Sequence, residues 1–501
     1  MRVVPNAVVA AFLAVSLSAC GAGEPQTDEI RENSQPGGVI VSSTSGEARQ
    51  YFADGMREWD YNRVPEAHAN FKQASSVDPG FTLAYIYAAE TAQKAAEQSA
   101  LRAEATRASA NASEYERLIA QAMERRWKND AQGALQLLQS LTEKYADNAR
   151  AWELRAFVLG EEAFFEESRA SYEKAIAADS LHPSYYMYLA ASLTFNQPTD
   201  FARAESLLKK AIELEPNESY IHDLLGDTYR MTGRLELAAA EYTKAAELDP
   251  TAGGPLQQRG HVNALMGRSA EARADYDASV ATAKGNFKIG YGLYRPFVHL
   301  LEGNARAAIT EQEALYKSIE SSDAEEPDGL RALILADMVL IASHNRMLDV
   351  LDRVEKLRAE VRARRIAQIN TPEFREQEAR QVELESGFAA AYRGNFAKAE
   401  QHAENYRKLR ESEIGANKLW PYYNLRGTIA FLQGRNDEAI KLLAQSNPNN
   451  IYLTYLTAVA HERAGRKAEA KAEYEKVVKH NFLPAALALV RREAEAKVKA
   501  L

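Results

Sequence analysis

The chain has 501 residues, a formal net charge of -9 at pH 7, and charged residues making up 26% of its length. An acidic balance spread over both signs excludes the basic face that a nucleic-acid partner needs and a second, electrostatic attachment to anionic lipid. After the N-terminus no apolar run reaches the roughly 20 residues of a bilayer span; the nearest, residues 330–342, is interrupted by Arg331 and Asp337.

Residues 3–17 are mostly Val, Ala, Leu and Phe. They follow a single positive charge, Arg2, and lead to Ser18, Ala19 and Cys20. A positive start, a short apolar run and a small residue at its end are the parts of an export signal. The stretch Leu17-Ser18-Ala19-Cys20 resembles the lipobox of bacterial lipoproteins. That resemblance implies removal of residues 1–19 and lipidation of the Cys20 sulfur with palmitate-class chains. Two or three such chains give stable anchoring where one is marginal. Cys20 is the only cysteine. The alternative, an ordinary secretory signal, leaves an unpaired thiol in an oxidising compartment. Gly21 in place of Asp implies, in a Gram-negative host, the outer membrane with the protein on its periplasmic face. Residues 20–45 then hold the lipidated cysteine and a tether whose Gly, Pro, Ser, Thr, Glu and Gln cannot bury a core, so it reads as flexible.

From residue 48 onward Ala, Leu, Glu, Lys, Arg and Tyr recur at helical spacing, and a unit of about 34 residues repeats. The clearest copy, 219–250, has Leu225-Gly226, Tyr229, Gly233, Ala238, Tyr242, Ala245 and Pro250. Small residues at Gly226 and Ala238 let two helices cross closely, the tyrosines fill the space between them, Gly233 ends the first helix, and Pro250 ends the second. The pattern resembles the tetratricopeptide repeat (TPR) family over most of the chain. Further copies fit at 48–81, 149–182, 185–216 and 253–286, at three places in the C-terminal third around Gly394, Gly434 and Gly465, and more weakly at 115–148 and 289–322. The resemblance implies an all-α fold of helix-turn-helix units stacked into a right-handed superhelical solenoid, as one array or two consecutive ones.

Two segments depart from the pattern. Residues 82–114 read as one long Ala/Glu/Arg helix. Residues 323–379 begin with an acidic loop (Asp323, Glu325, Glu326, Asp328) and continue as apolar helices without the glycines. This places a soft boundary at 320–328, giving an N-terminal array at 46–322 and a C-terminal array at 323–483. Residues 484–501, with Arg491, Arg492, Lys497 and Lys499, read as the polar cap a solenoid needs. The run Arg353, Lys356, Arg358, Arg362, Arg364, Arg365 reads either as an anionic docking patch or as a solvated amphipathic helix.

No catalytic constellation is present. His461-Glu462 lacks the second histidine of a zinc-protease helix, the histidines stand at no metal-ligand spacing, and the glycines recur at repeat turns. No cofactor or metal is expected. Function then falls to surfaces. In TPR proteins the second, fifth, ninth and twelfth positions of each unit line the inner wall. By that resemblance the groove takes Tyr186, Leu189, Leu193 and Asn196; Tyr220, Asp223, Asp227 and Arg230; Gln257 and His261; Phe388; Asn424 and Phe431; and Tyr452 and Tyr455. Mixed aromatic and polar groups suit peptide or helix recognition, although the same tyrosines also suit packing between neighbouring helices. Leu189, Leu193, Asp223 and Asp227 stand where chaperone-binding TPR domains carry a basic clamp for a terminal carboxylate, so that mode is not expected. The expectation is a non-enzymatic, membrane-anchored scaffold for envelope proteins. The alternative is a ligand- or polysaccharide-binding component of an export or uptake system.

Overall fold

The computed structural model describes residues 38–92, 95–128, 130–324, 326–411 and 417–501. Cys20, the signal and most of the expected tether lie outside these. Among the described residues all regular structure is helical, and the chain forms two compact units that divide after Pro255.

The first unit contains α1 (Gly46–Asp60), α2 (Val64–Val77), α3 (Thr82–Thr91), α4 (Ala95–Ala108), α5 (Glu114–Trp127), α6 (Ala131–Lys144), α7 (Ala149–Glu161), α8 (Phe165–Ala178), α9 (Pro183–Phe195), α10 (Phe201–Leu214), α11 (Ser219–Met231) and α12 (Leu235–Leu248). Consecutive helices pack as pairs, α1 on α2 through α11 on α12. Several helices start on a side-chain cap: Ser45, Ser113, Asp130, Asn148 and Asp200 each accept a backbone N–H of the first turn, worth about 1 kcal/mol apiece. Close crossing within a pair depends on a missing side chain. A Cβ on Gly226 would lie 2.6 Å from the Tyr242 ring, and Gly55 faces Phe71 in the same way. The turn inside several pairs contains a residue with left-handed backbone. Gly233 (φ 74°) takes that place between α11 and α12, but Asn62 (φ 59°) and Ala163 (φ 64°) take it elsewhere.

Residues 82–108 are not one long helix. α3 ends at Thr91, whose hydroxyl bonds back to the Tyr87 carbonyl at 2.7 Å, and Ala92 is extended. α3 is buried on most sides (Leu83, Ala84, Ile86, Ala88, Ala89) while α4 is rich in polar residues, so the stretch makes an inner and an outer helix of one further pair.

The second unit contains α13 (Gly253–Leu265), which begins at the divide, α14 (Ser269–Thr282), α15 (Gly285–Gly292), α16 (Arg295–Leu301), α17 (Ala305–Ser318), α18 (Pro327–His344), α19 (Leu348–Ile369), α20 (Pro372–Tyr392), α21 (Phe396–Leu409), α22 (Trp420–Leu432), α23 (Asn436–Leu443), α24 (Ile451–Arg463), α25 (Lys467–Lys479) and α26 (Ala485–Ala500). The expected boundary at 320–328 is not where the units part. Residues from Ala264 to Ile319 share one apolar core with residues from Ile334 to Ala494, so the acidic loop lies inside the second unit. There Asp328 pairs with Arg331 at 3.0 Å and Arg364 at 2.8 Å.

Five of the six cations in the basic run on α19 are paired with the unit's own acids. Arg353 pairs with Glu313, Arg358 and Arg362 with Glu385, and Arg365 with Glu378 at 3.1 Å. This is an internal ion-pair layer rather than an open anionic docking patch. α26 is polar on one face only. Leu487, Ala488, Val490 and Ala494 are fully buried against α16, α18, α24 and α25. Arg492 donates to the Glu302 carbonyl at 2.9 Å and Lys497 meets Glu462 at 2.6 Å. The last helix therefore buries one face, which fastens the last pair to α16, and keeps the other face polar.

Candidate functional site

The first helix of each pair presents one face to the interior of its stack. In the first unit, contacts across many helices show which residues that face carries. Arg150 on α7 donates two hydrogen bonds of 2.5 Å to both oxygens of Asp60, at the end of α1, and a third of 2.8 Å to Glu153. All three are buried. Burial works against the Arg150 charge, but Asp60 and Glu153 more than offset it. Burial pushes Glu153 up to about 7, against the pull of Arg150. The turn after α1 is held further. Tyr188 donates to the Asp60 carbonyl at 3.0 Å, Tyr61 to Glu215 at 2.7 Å, and Arg63 to Glu218 at 2.9 Å.

Of the residues expected to line the groove, Asp223, Asp227 and Arg230 do come together on α11. Arg230 and the Tyr242 hydroxyl both bond Asp227 Oδ1, at 2.6 and 2.7 Å. Arg230 is fully buried and Asp227 2% exposed, so these groups knit α11 to α12. Asp223 lies beside them with a buried Oδ1 that has no hydrogen-bond partner among the described residues. Burial, then the Asp227 carboxylate, push Asp223 well above the usual carboxylate range. Leu189 and Leu193 are core residues. Tyr186 and Tyr220 are half-buried; the Tyr186 hydroxyl donates to the Ser180 carbonyl at 3.0 Å. Asn196 caps the C-terminus of α9, and its carbonyl accepts from Arg169 at 2.7 Å.

In the second unit Gln257 and His261 are buried on α13, and His261 bonds the Tyr276 hydroxyl at 2.8 Å. Phe388 packs in a small cluster with Ala391 and Leu425, and Asn424 accepts from Thr428 at 3.4 Å. Phe431 lies under the Arg463 guanidinium, 4.4 Å from the ring centre. Tyr452 and Tyr455 stack with centroids 6.3 Å apart, and the Tyr452 hydroxyl meets His344 Nδ1 at 3.1 Å. The expected residues thus fall into separate clusters, one set in each unit.

Glu116, Arg150 and Glu153 are inner-face residues that the positional rule had not been extended to. The signal was present: they are the second and fifth positions of the copies at 115–148 and 149–182. Among the described residues no group of three His, Cys, Asp or Glu side chains is placed to hold a metal ion, and no helix is long and apolar enough to cross a membrane.

A tetratricopeptide repeat family model matches residues 199–253, the span of α10 to α12. Solved structures similar to parts of the chain include a tetratricopeptide repeat protein from Parabacteroides merdae ATCC 43184, 15% identical over 58% of this chain and 100% of that one, with a TM-score of 0.34. Others are the type IV pilus biogenesis factor PilW, 16% identical over 42% and 95% with a TM-score of 0.35, and MamA, 18% identical over 32% and 93% with a TM-score of 0.30. Curated protein sequences give no match. The assignment rests on the family model and the pair geometry: the chain is an all-helical repeat protein that carries tetratricopeptide repeats.

Proposed function

We propose that the protein is a non-enzymatic scaffold, anchored through a lipid on Cys20 to the outer membrane on its periplasmic face, that holds protein partners during assembly or localisation of a cell-envelope complex. The observation that supports binding is the stacked-pair architecture, which sets half-exposed aromatic and polar groups such as Tyr186 and Tyr220 on successive first helices. Surfaces of that composition recognise peptides and helices. The anchor is supported by Leu17-Ser18-Ala19-Cys20. The tyrosines that would favour a polysaccharide ligand are in good part core residues: Tyr115, Tyr185, Tyr242, Tyr276, Tyr291 and Tyr474 are buried.

The test is affinity capture of the full-length protein from envelopes. A reproducible protein partner, lost with Tyr186→Ala plus Tyr220→Ala and kept with Leu237→Ala on an exposed face of α12, is the expected result. Capture of glycan with no protein partner contradicts the proposal. For the anchor, Cys20→Ser is expected to release the protein from the membrane fraction; unchanged fractionation at the usual processed size contradicts it.

A further inference from the structure

Residues 38–45 lead into α1 as an extended segment, with no helix of their own. Their side chains alternate. Val39 and Val41 pack against the apolar core of the first helix pairs and Ser43 is 6% exposed, while Ile40, Ser42 and Thr44 are exposed, although the Ser42 hydroxyl still reaches Glu116. This is the two-residue period of a strand held on one side. The segment is also gripped by polar groups from three of the unit's pairs. Asn148, the N-cap of α7, donates from Nδ2 to the Gly38 carbonyl at 2.7 Å. Glu116 on α5 accepts the Ser42 backbone N–H at 2.7 Å on one oxygen and the Ser42 hydroxyl on the other. Ser43 donates to Asp78, just beyond α2, at 2.6 Å.

Glu116 is the informative residue. It is fully buried, and among the described residues its carboxylate receives hydrogen bonds from Ser42 alone. A buried carboxylate without donors is costly. Here both donors come from a segment that precedes α1 and belongs to no helix pair. Asn148 is likewise shared: its Oδ1 accepts the Ala151 N–H at 2.9 Å and the Tyr115 hydroxyl at 3.1 Å, leaving Nδ2 for a peptide carbonyl. The unit recognises a backbone carbonyl, a backbone N–H and two hydroxyls, with two small apolar side chains between them.

We propose that the surface across the ends of α2, α5 and α7 is a binding site for an extended protein segment in which small β-branched apolar residues are followed by two hydroxyl residues. Residues 38–43 are its resident occupant, and a partner segment of the same chemistry gains the site by displacing them. This rests on the scaffold reading and names a class of partner segment for it. Because the occupant is covalently attached, its effective concentration is in the millimolar range, so an external segment competes at a disadvantage until the resident is dislodged.

The probe is a fluorescent synthetic peptide with the sequence of residues 37–45. The full chain carrying Val39→Asp and Val41→Asp is expected to bind it about 10-fold or more tightly than the wild type, and adding Glu116→Gln is expected to abolish that gain. Equal binding by the two chains, or none by either, overturns the proposal. A concentration-dependent dimer formed by the wild type and lost in the double variant would give the site to a second copy and also overturn it. Should the double variant fail to fold, hydrogen exchange on the wild type decides. Saturating probe is expected to speed exchange of the Ser42 amide, and unchanged exchange overturns the proposal. Partner capture that depends on Tyr186 and Tyr220 tests the scaffold reading separately, so either can fail while the other stands.

Discussion

Asp337 gives a pH test of the second unit. It lies on α18 in a segment whose neighbours include Ile334, Leu335, Met338 and Ile341, all buried, and it has no hydrogen bond or ion pair among the described residues. Burial alone pushes its carboxyl up to about 7. An ordinary aspartate titrates near 3.9, and each unit of difference corresponds to about 1.36 kcal/mol. The ceiling is therefore about 4 kcal/mol, and the partial exposure of the side chain brings the expected effect to about 2–4 kcal/mol. The sign follows from proton binding. The folded state keeps the proton up to about pH 7 while the unfolded chain releases it near pH 4, so stability falls as pH rises through that window and is flat above it. Asp337→Asn cannot ionise and removes this dependence. Hydrogen exchange of residues 327–344 in the full chain, read at pH 5 and pH 8, measures it. The variant is expected to exceed the wild type by about 2–4 kcal/mol at pH 8 and by only about a third of that at pH 5. A difference that is the same at both pH values refutes the reasoning.

Three further predictions concern packing and backbone. Arg150→Met leaves Asp60 and Glu153 buried without their cation and is expected to destabilise the first unit by about 3–5 kcal/mol in urea unfolding; an effect under about 1 kcal/mol contradicts the buried geometry. Gly226→Val drives a Cβ to 2.6 Å from the Tyr242 ring and is expected to cost about 1–3 kcal/mol, read as a lower urea midpoint. Arg346 holds a left-handed conformation (φ 54°) in the turn between α18 and α19. Arg346→Gly relieves a strain of about 1–2 kcal/mol, partly offset by the greater freedom of glycine when unfolded, so a small rise in Tm is expected and a fall contradicts the assignment.

The helix pairs were legible where the turn residue is glycine, as at Gly233, Gly394, Gly434 and Gly465, because those positions need positive φ. The copies at 48–81 and 149–182 were read from their other positions although Asn62 and Ala163 take the turn, but the pair around Arg346 was obscured, since the backbone requirement persists without the residue that advertises it. This is why 327–369 looked like a departure from the repeat although α18 and α19 pack as a pair. The positional rule placed Asp223, Asp227 and Arg230 together, but it could not distinguish an open groove from a buried network that joins α11 to α12. It also could not show what meets Glu116 and Arg150. Their partners Ser42 and Asp60 lie 74 and 90 residues away, and only stacking of the intervening helices brings them together. No local pattern records such a contact. The docked end of the expected tether was hidden for a related reason. A Val-Ile-Val-Ser-Ser stretch has too little apolar surface to form a core, yet enough to complete one that already exists.

The most direct test of the scaffold claim places a photo-crosslinking amino acid at Tyr186, Tyr220 or Leu237 in the full-length protein within living envelopes. Crosslinks to a defined protein partner from Tyr186 and Tyr220, and none from Leu237 on the exposed face of α12, are expected. Crosslinks that are equal at all three positions, or absent from both tyrosines, would contradict binding through the first helices of the pairs.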